Sequence, residues 1–327
     1  MTPTPGDVHV NAPLTNISIA FLQNAANFVA TRVFPNIPVQ KQSDRYYVYE
    51  RGDFNRDEMQ LRAPATASAG GGYTLDNTPT YFANRFSFHK DIPDELRANA
   101  DAVLSPDREA AEFVTHKALI KREKLFSNTY FKTGVWTFQR AGVAGTPTGT
   151  QFKKWNDATS TPIRDVRLGK AAIAQSTGFE PNKLIMGRAV YDAIVDHPEI
   201  IDRLKYGQTA GAPAMASKQA LAALFGVDEI LVMNAIENTA AEGVAATHSF
   251  IGGNHCLLTY STSAPGLMTP TAGYTFSWTG LLGSGADGNR IKSFRMEDRS
   301  ADRVEIDMCF DMKLVSADLG QFWSDAV

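Results

Sequence analysis

Cysteine is nearly absent. The 327-residue chain has two, Cys256 and Cys309. They stand far apart with no partner spacing, so neither a zinc site nor a disulfide framework is suggested. Two buried thiols in a reducing compartment are expected. No apolar run approaches the roughly 18 residues needed to span a bilayer. The opening Met1-Thr2-Pro3-Thr4-Pro5-Gly6 has neither the basic nor the apolar region of a secretory signal. The expectation is a soluble chain made in a cytoplasm, with no membrane partner. An excess of one charge is also missing, with 32 basic against 35 acidic residues and a net charge of −3. Tight wrapping of nucleic acid is therefore not expected, although loose contact stays open.

Catalytic signatures are equally scarce. None of His9, His89, His116, His197, His248 and His255 has another histidine four residues away, and no H-E-x-x-H occurs. In a strand, His255 and Cys256 would point to opposite faces, which makes them poor joint ligands. His197 precedes Pro198 at a helix end, where an interaction with the helix dipole is the simpler role. There is no P-loop lysine motif and no G-x-S-x-G elbow. Gly283-Ser284-Gly285-Ala286-Asp287-Gly288 has the spacing of a dinucleotide loop, but that motif needs a helix after it to hold the pyrophosphate. Here Asn289-Arg290-Ile291-Lys292-Ser293-Phe294 follows and alternates like a strand. A glycine-rich hairpin loop is the expectation. No cofactor, metal or catalytic residue is assigned.

What is present is an ordinary globular composition, 43% hydrophobic and 20% charged, in a length suited to about two domains. Residues 1–13 read as a polar, Pro-rich arm. Ile17, Ala20, Phe21, Asn24 and Phe28 recur at helical spacing, capped by Thr15 or Asn16. This greasy helix on a loose arm needs a surface to dock on, either its own core or another subunit.

The stretch from Arg45 to Ile92 reads as a projecting ribbon. Its strands are Arg45–Arg51 and Pro79–His89, with Phe82, Phe86 and Phe88 on one face. Between them runs a long segment of charge, Ala, Ser and Gly. Structureless loops above about 15 residues are uncommon unless functional or disordered. An isolated two-stranded ribbon is marginal in water, so a second copy of the chain is its simplest cover. Arg51, Arg56 and Arg62 interleave with Asp53, Asp57 and Glu58. They are either a solvated mixed-charge loop or a set of intersubunit ion pairs, each contributing only about 0–1 kcal/mol. The second reading is preferred, because a projecting loop needs contacts.

Ser105-Pro106-Asp107 opens the longest helix, which reaches to about Asn128. Val114, Ala118 and Leu125 share one side, and Lys117, Lys121 and Lys124 mark a solvated one. The Gly/Thr/Pro-rich residues 139–151 read as a dividing loop. Helix and strand then alternate: a helix from Pro162 to Gly178, a strand at Lys183–Met186, and helices at Arg188–Asp196 and Glu199–Lys205. After a small-residue loop from Gly207 to Met215 come a helix at Ser217–Phe225 and a strand at Glu229–Met233. From His248 onward strands dominate: Asn254–Tyr260, Tyr274–Trp278, and a hairpin of Asn289–Glu297 with Arg303–Ser316. No internal repeat is visible.

This order resembles the major capsid proteins of tailed bacteriophages, the HK97-like fold. The residues that carry the resemblance are Val33-Phe34-Pro35-Asn36-Ile37-Pro38-Val39, Tyr47-Val48-Tyr49, Asp53-Phe54, Arg62-Ala63-Pro64 and Gly70-Gly71-Gly72-Tyr73. Near the end they are Ile291-Lys292-Ser293-Phe294-Arg295, Asp311-Met312-Lys313-Leu314-Val315 and Asp318-Leu319-Gly320. The resemblance implies an α+β fold in five parts. These are an N-terminal arm (1–44), an extended β-hairpin E-loop (45–92), a peripheral domain with a spine helix (93–169), an α/β axial domain (170–288) and strands returning to the peripheral domain (289–327). It implies a structural, non-enzymatic subunit of an icosahedral virion shell, assembled as hexamers and pentamers in the bacterial cytoplasm around double-stranded DNA that it touches loosely. Phe21, Phe28, Arg51, Arg56, Asp57, Glu58 and Arg62 would lie in intersubunit contacts. The short arm implies a separate scaffolding protein, beside a portal and a decoration protein. An encapsulin-like cellular compartment is the alternative, and a nucleotide-binding enzyme the third.

Overall fold

The fold is built on strand Ala301–Leu314, whose larger apolar side chains recur at every second position from Val304 to Met312. In the computed structural model, which describes residues 23–100, 104–206, 217–266, 268–282 and 288–327, Val304, Ile306, Met308, Phe310 and Met312 are buried in one hydrophobic core with Val114 and Ala118 of helix Pro106–Tyr130. Period two puts Arg303, Glu305 and Asp307 on the opposite face.

The partners of this strand form a five-stranded sheet. Strand Asn84–Pro93 lies along one side, with Met308 opposite Phe86 and Ala301 opposite Pro93. The other side holds two strands end to end. Gly273–Trp278 pairs with residues 314–310, and Asn289–Met296 continues along residues 308–301. The chain leaves the ladder after Trp278, forms the short helix Thr279–Leu282, and rejoins it at Gly288, whose carbonyl accepts from the Cys309 amide. The glycine-rich stretch is therefore not a hairpin loop, because the strands before and after it never pair with each other. Of that stretch only Gly288 is among the described residues. It has φ +63°, and a Cβ there would sit 2.8 Å from Ser277 Cβ and 3.0 Å from the Cys309 carbonyl oxygen. Both observations call for glycine. Asn36–Val39 adds the last strand, parallel to Gly273–Trp278.

The second sheet has six strands, in the order Glu229–Met233, Lys183–Gly187, Cys256–Thr259, Gly320–Ser324, Phe138–Val143 and Gln151–Lys153. Buried strands pack Leu184, Ile185, Met186, Leu231 and Phe322 against helices Pro162–Thr177, Arg188–Val195 and Lys218–Phe225. The helix ends follow the local chemistry. Ser217 Oγ accepts from the Ala220 amide, and Gly178 closes its helix in the left-handed region at φ +79°.

Several expectations need correction. Residues 139–151 are not only a dividing loop, since Phe138–Val143 is a strand of the six-stranded sheet. Gly320–Ser324 was not anticipated as a strand, and it pairs with Cys256–Thr259 on one side and Phe138–Val143 on the other. Sheet membership therefore crosses the expected limits: residues 273–278 join the five-stranded sheet and residues 320–324 the six-stranded one. The helix expected from Ile17 to Phe28 lies mostly outside the described residues. Its described end is a single 3-10 turn, Ala25–Asn27, capped by the Asn24 side chain, and a separate turn of helix follows at Ala30–Val33. His197 sits where helix Arg188–Val195 ends and helix Pro198–Tyr206 begins. Its Nδ1 accepts from the Glu199 amide, which leaves Nε2 to donate toward Ser160 Oγ at 3.0 Å, so it helps to start helix Pro198–Tyr206.

Candidate assembly surface

The ribbon is real but shorter than its sequence pattern. Ser43–Arg45 pairs with Thr80–Phe82, and Val48–Tyr49 with Leu75–Asp76. Residues 84–93, expected to belong to the ribbon, are instead fixed in the five-stranded sheet. The reason lies at Ala83, which is fully buried and bonds its amide to the Gln42 carbonyl. Beyond that point period two feeds Phe86 and Phe88 towards the long helix, where Phe86 meets Phe310 at 5.4 Å and Phe88 meets Phe113 at 5.8 Å.

A small second core anchors the ribbon. Tyr81 stacks on Phe276 with ring centroids 4.5 Å apart, and Tyr46 covers the same ring at 5.5 Å. The Asp311 carboxylate accepts from the Phe82 amide at 2.9 Å. Further out, Tyr49, Phe54 and Tyr73 form a cluster with centroids 5.7 to 5.9 Å apart, yet Phe54 and Tyr73 remain half exposed or more. The Thr74 amide donates to Asp53 at 2.8 Å and holds that carboxyl below its usual range. At the tip, Met59 and Leu61 are essentially fully exposed. Two large apolar side chains at the end of a narrow ribbon cannot be buried by that ribbon.

The seven residues expected at intersubunit contacts separate. Phe21 lies outside the described residues. Phe28 is buried in its own subunit, edge-on to His116 at 6.0 Å. Arg51 pairs with Asp318 of the same chain at 2.7 Å. Arg56 reaches Glu58 at 3.3 Å and Asp53 at 3.8 Å. Arg62 Nε donates to the Thr66 carbonyl and tightens its own turn. Asp57 is exposed and forms no ion pair with a described residue. Only Arg56 and Glu58 meet each other. Met59 and Leu61 were missed, because a polar, Gly-rich setting hides two isolated hydrophobics from any periodicity.

The polar face of the five-stranded sheet is a charge network. Asp307, with no exposed side-chain surface, accepts from Arg85 Nη2 at 2.8 Å and Ser87 Oγ at 2.6 Å, with Lys292 at 3.3 Å and Arg290 at 3.4 Å. Burial alone would raise its pKa, but the bonds from Ser87, Arg85 and Lys292 outweigh it and hold the value near about 2. Arg303 grips Asp91 with two bonds of 2.7 and 2.9 Å, and Arg295 grips Asp94 with two of 2.6 Å. These bidentate pairs join strand 84–93 and the helix after it to the terminal hairpin.

Among the described residues no group of three or more His, Cys, Asp or Glu is placed to hold a metal, and no helix is long and apolar enough to cross a membrane. Cys256 and Cys309 are buried free thiols.

Comparisons agree with this architecture. The family described as phage major capsid protein E matches residues 144–273. The major capsid protein of Pseudomonas phage JBD67 is 25% identical over 319 residues, covering 97% of each chain. A phage-related protein of Bordetella bronchiseptica RB50 superposes with a TM-score of 0.68 at 20% identity, over 92% of this chain and 93% of the other. The capsid of Cyanophage P-SCSP1u does so with a TM-score of 0.63 at 12% identity, over 99% and 98%. The chain has the α+β, HK97-like capsid fold.

Proposed function

From that fold we propose that the chain is a structural major capsid protein that self-assembles, as hexamers and pentamers, into an icosahedral shell around double-stranded DNA. The observation that carries the reading is the ribbon, whose exposed Met59 and Leu61 its own subunit leaves uncovered. A second copy supplies the missing surface. Extended elements bury much area per residue, and many weak linked contacts give a stable shell while each one stays reversible during assembly. In this reading Asp57, Glu58, Arg56 and Arg62 form the polar rim around Met59 and Leu61. The near-neutral net charge of −3 suits an inner surface that does not grip DNA. A separate scaffolding protein, a portal and a decoration protein belong to the same proposal, as do assembly in the host cytoplasm and the absence of enzymatic activity.

The test is negative-stain microscopy of the purified chain, expressed with and without its neighbouring genes. Closed icosahedral particles are the expected result. Small discrete oligomers under both conditions would overturn it.

A further inference from the structure

The root of the N-terminal segment is fastened by one carboxylate. Glu123 stands in the middle of the long helix, fully buried. Its Oε2 accepts from the Val29 amide at 3.0 Å and the Ala30 amide at 2.9 Å, at the entry to the turn Ala30–Val33. Its Oε1 is also buried and has no hydrogen-bond partner among the described residues.

Among the described residues no cation is paired with this carboxyl, whose electrostatics are set by burial and the two amides. From its own helix, Arg122 turns to Asn289 and the Phe310 ring, Lys124 to Glu237, and Lys121 to the Phe86 ring. His116, two turns earlier, lies against Phe28, and Tyr130, two turns later, donates to the Met312 carbonyl. From the N-terminal segment, Arg32 pairs with Glu229. From the six-stranded sheet, Lys183 donates to the Arg32 carbonyl. A buried charge without a counter-ion is costly, and the two amide bonds meet the needs of one oxygen only.

We propose that Glu123 is a proton-operated latch that holds residues 23–34 on the long helix when neutral and loosens them when ionised. Loosening lets the carboxylate regain water. The orphaned Oε1 is the place for the proton, and Oε2 keeps both amides in either state. A second tether at this root carries no titratable group: Gln23 donates to the Ile236 carbonyl at 2.7 Å and accepts from its amide at 2.8 Å.

The sign follows from linkage. Burial lifts the carboxyl to about 7 from an ordinary value of 4.5, with the Ala30 and Val29 amides opposing the rise. Docking is therefore complete below pH 4.5, weakens as pH rises towards about 7, and is constant above that. The latch is a property of the subunit and stands whether or not the shell reading holds.

Hydrogen exchange on the full chain at pH 5 and pH 8, corrected for intrinsic rates, tests it. Amides of residues 23–34 should lose protection by roughly a hundredfold relative to those of the long helix, and Glu123→Gln should remove that difference. An equal loss in Glu123→Gln, or none in the wild type, overturns the proposal. If Glu123→Gln does not fold, carbon-detected NMR titration of Glu123 in the wild type decides. A midpoint near 7 supports the latch and one in the ordinary carboxylate range refutes it.

Discussion

Asp307 shows how one buried charge can hold a sheet in register. Its carboxylate gathers Arg85 from one neighbouring strand and Arg290 and Lys292 from the other. Asp307→Asn should cost about 3 kcal/mol in urea unfolding, mainly because Arg85 and Lys292 are left to share Glu305 and Arg290 loses its carboxylate. The pairing also stabilises in a pH-dependent way. Its folded pKa lies below the ordinary 3.8, so the contribution is complete above that range and disappears as pH falls through about 2. The difference is worth about 2 kcal/mol and is readable as a steeper acid limb that Asp307→Asn flattens. Ser300 makes a smaller case. It turns the terminal hairpin at φ +44°, in the left-handed region. Ser300→Gly should raise the melting temperature by a few degrees, since a non-glycine residue there costs roughly 1 kcal/mol. Sequence showed Asp307 only as one charge in an alternating strand. Glu123 was invisible among the polar residues of its helix, because burial there depends on which segment packs across it.

At the scale of elements, legibility followed period and punctuation. The long helix announced itself by Ser105-Pro106 and the middle helices by their proline and glycine limits, and the structure has them within a few residues. The terminal hairpin was equally clear. Gly320–Ser324 was not, since Gln321 and Ser324 break any apolar run and the strand exists only because two others flank it. The ribbon was seen, but its limit was misplaced: nothing local marks Ala83 as the point where one long strand pattern changes partners. Deleting residues 57–71 should leave the melting temperature of the subunit nearly unchanged while abolishing particles, because the described contacts anchoring the ribbon are at its base. Met59→Asp with Leu61→Asp should do the same. Calorimetry together with sedimentation reads both outcomes, and a large drop in stability would mean that the tip packs on its own subunit.

At the scale of the molecule, two sheets with separate buried faces share one continuous core. The architecture alone suits a virion shell or a cellular compartment equally. The phage relative, matched over 97% of both chains, favours the virion. Wild-type chain mixed with the tip-deleted variant should therefore give fewer or malformed particles, as unanchored subunits poison a closed shell. Particle counts unaffected by the mixture would argue that the ribbon is dispensable.

The place of Gly320–Ser324 has a kinetic meaning. It is the seam between Phe138–Val143 and Cys256–Thr259, more than 170 residues from the first of them in sequence. The two halves of that sheet cannot close until this late strand arrives, and pairings over such separations form slowly. A chain ending before it would leave Phe138–Val143 and Cys256–Thr259 each with an open edge at the seam. Unpaired edges are templates for wrong pairing, so placing this strand also removes an aggregation hazard from the finished sheet.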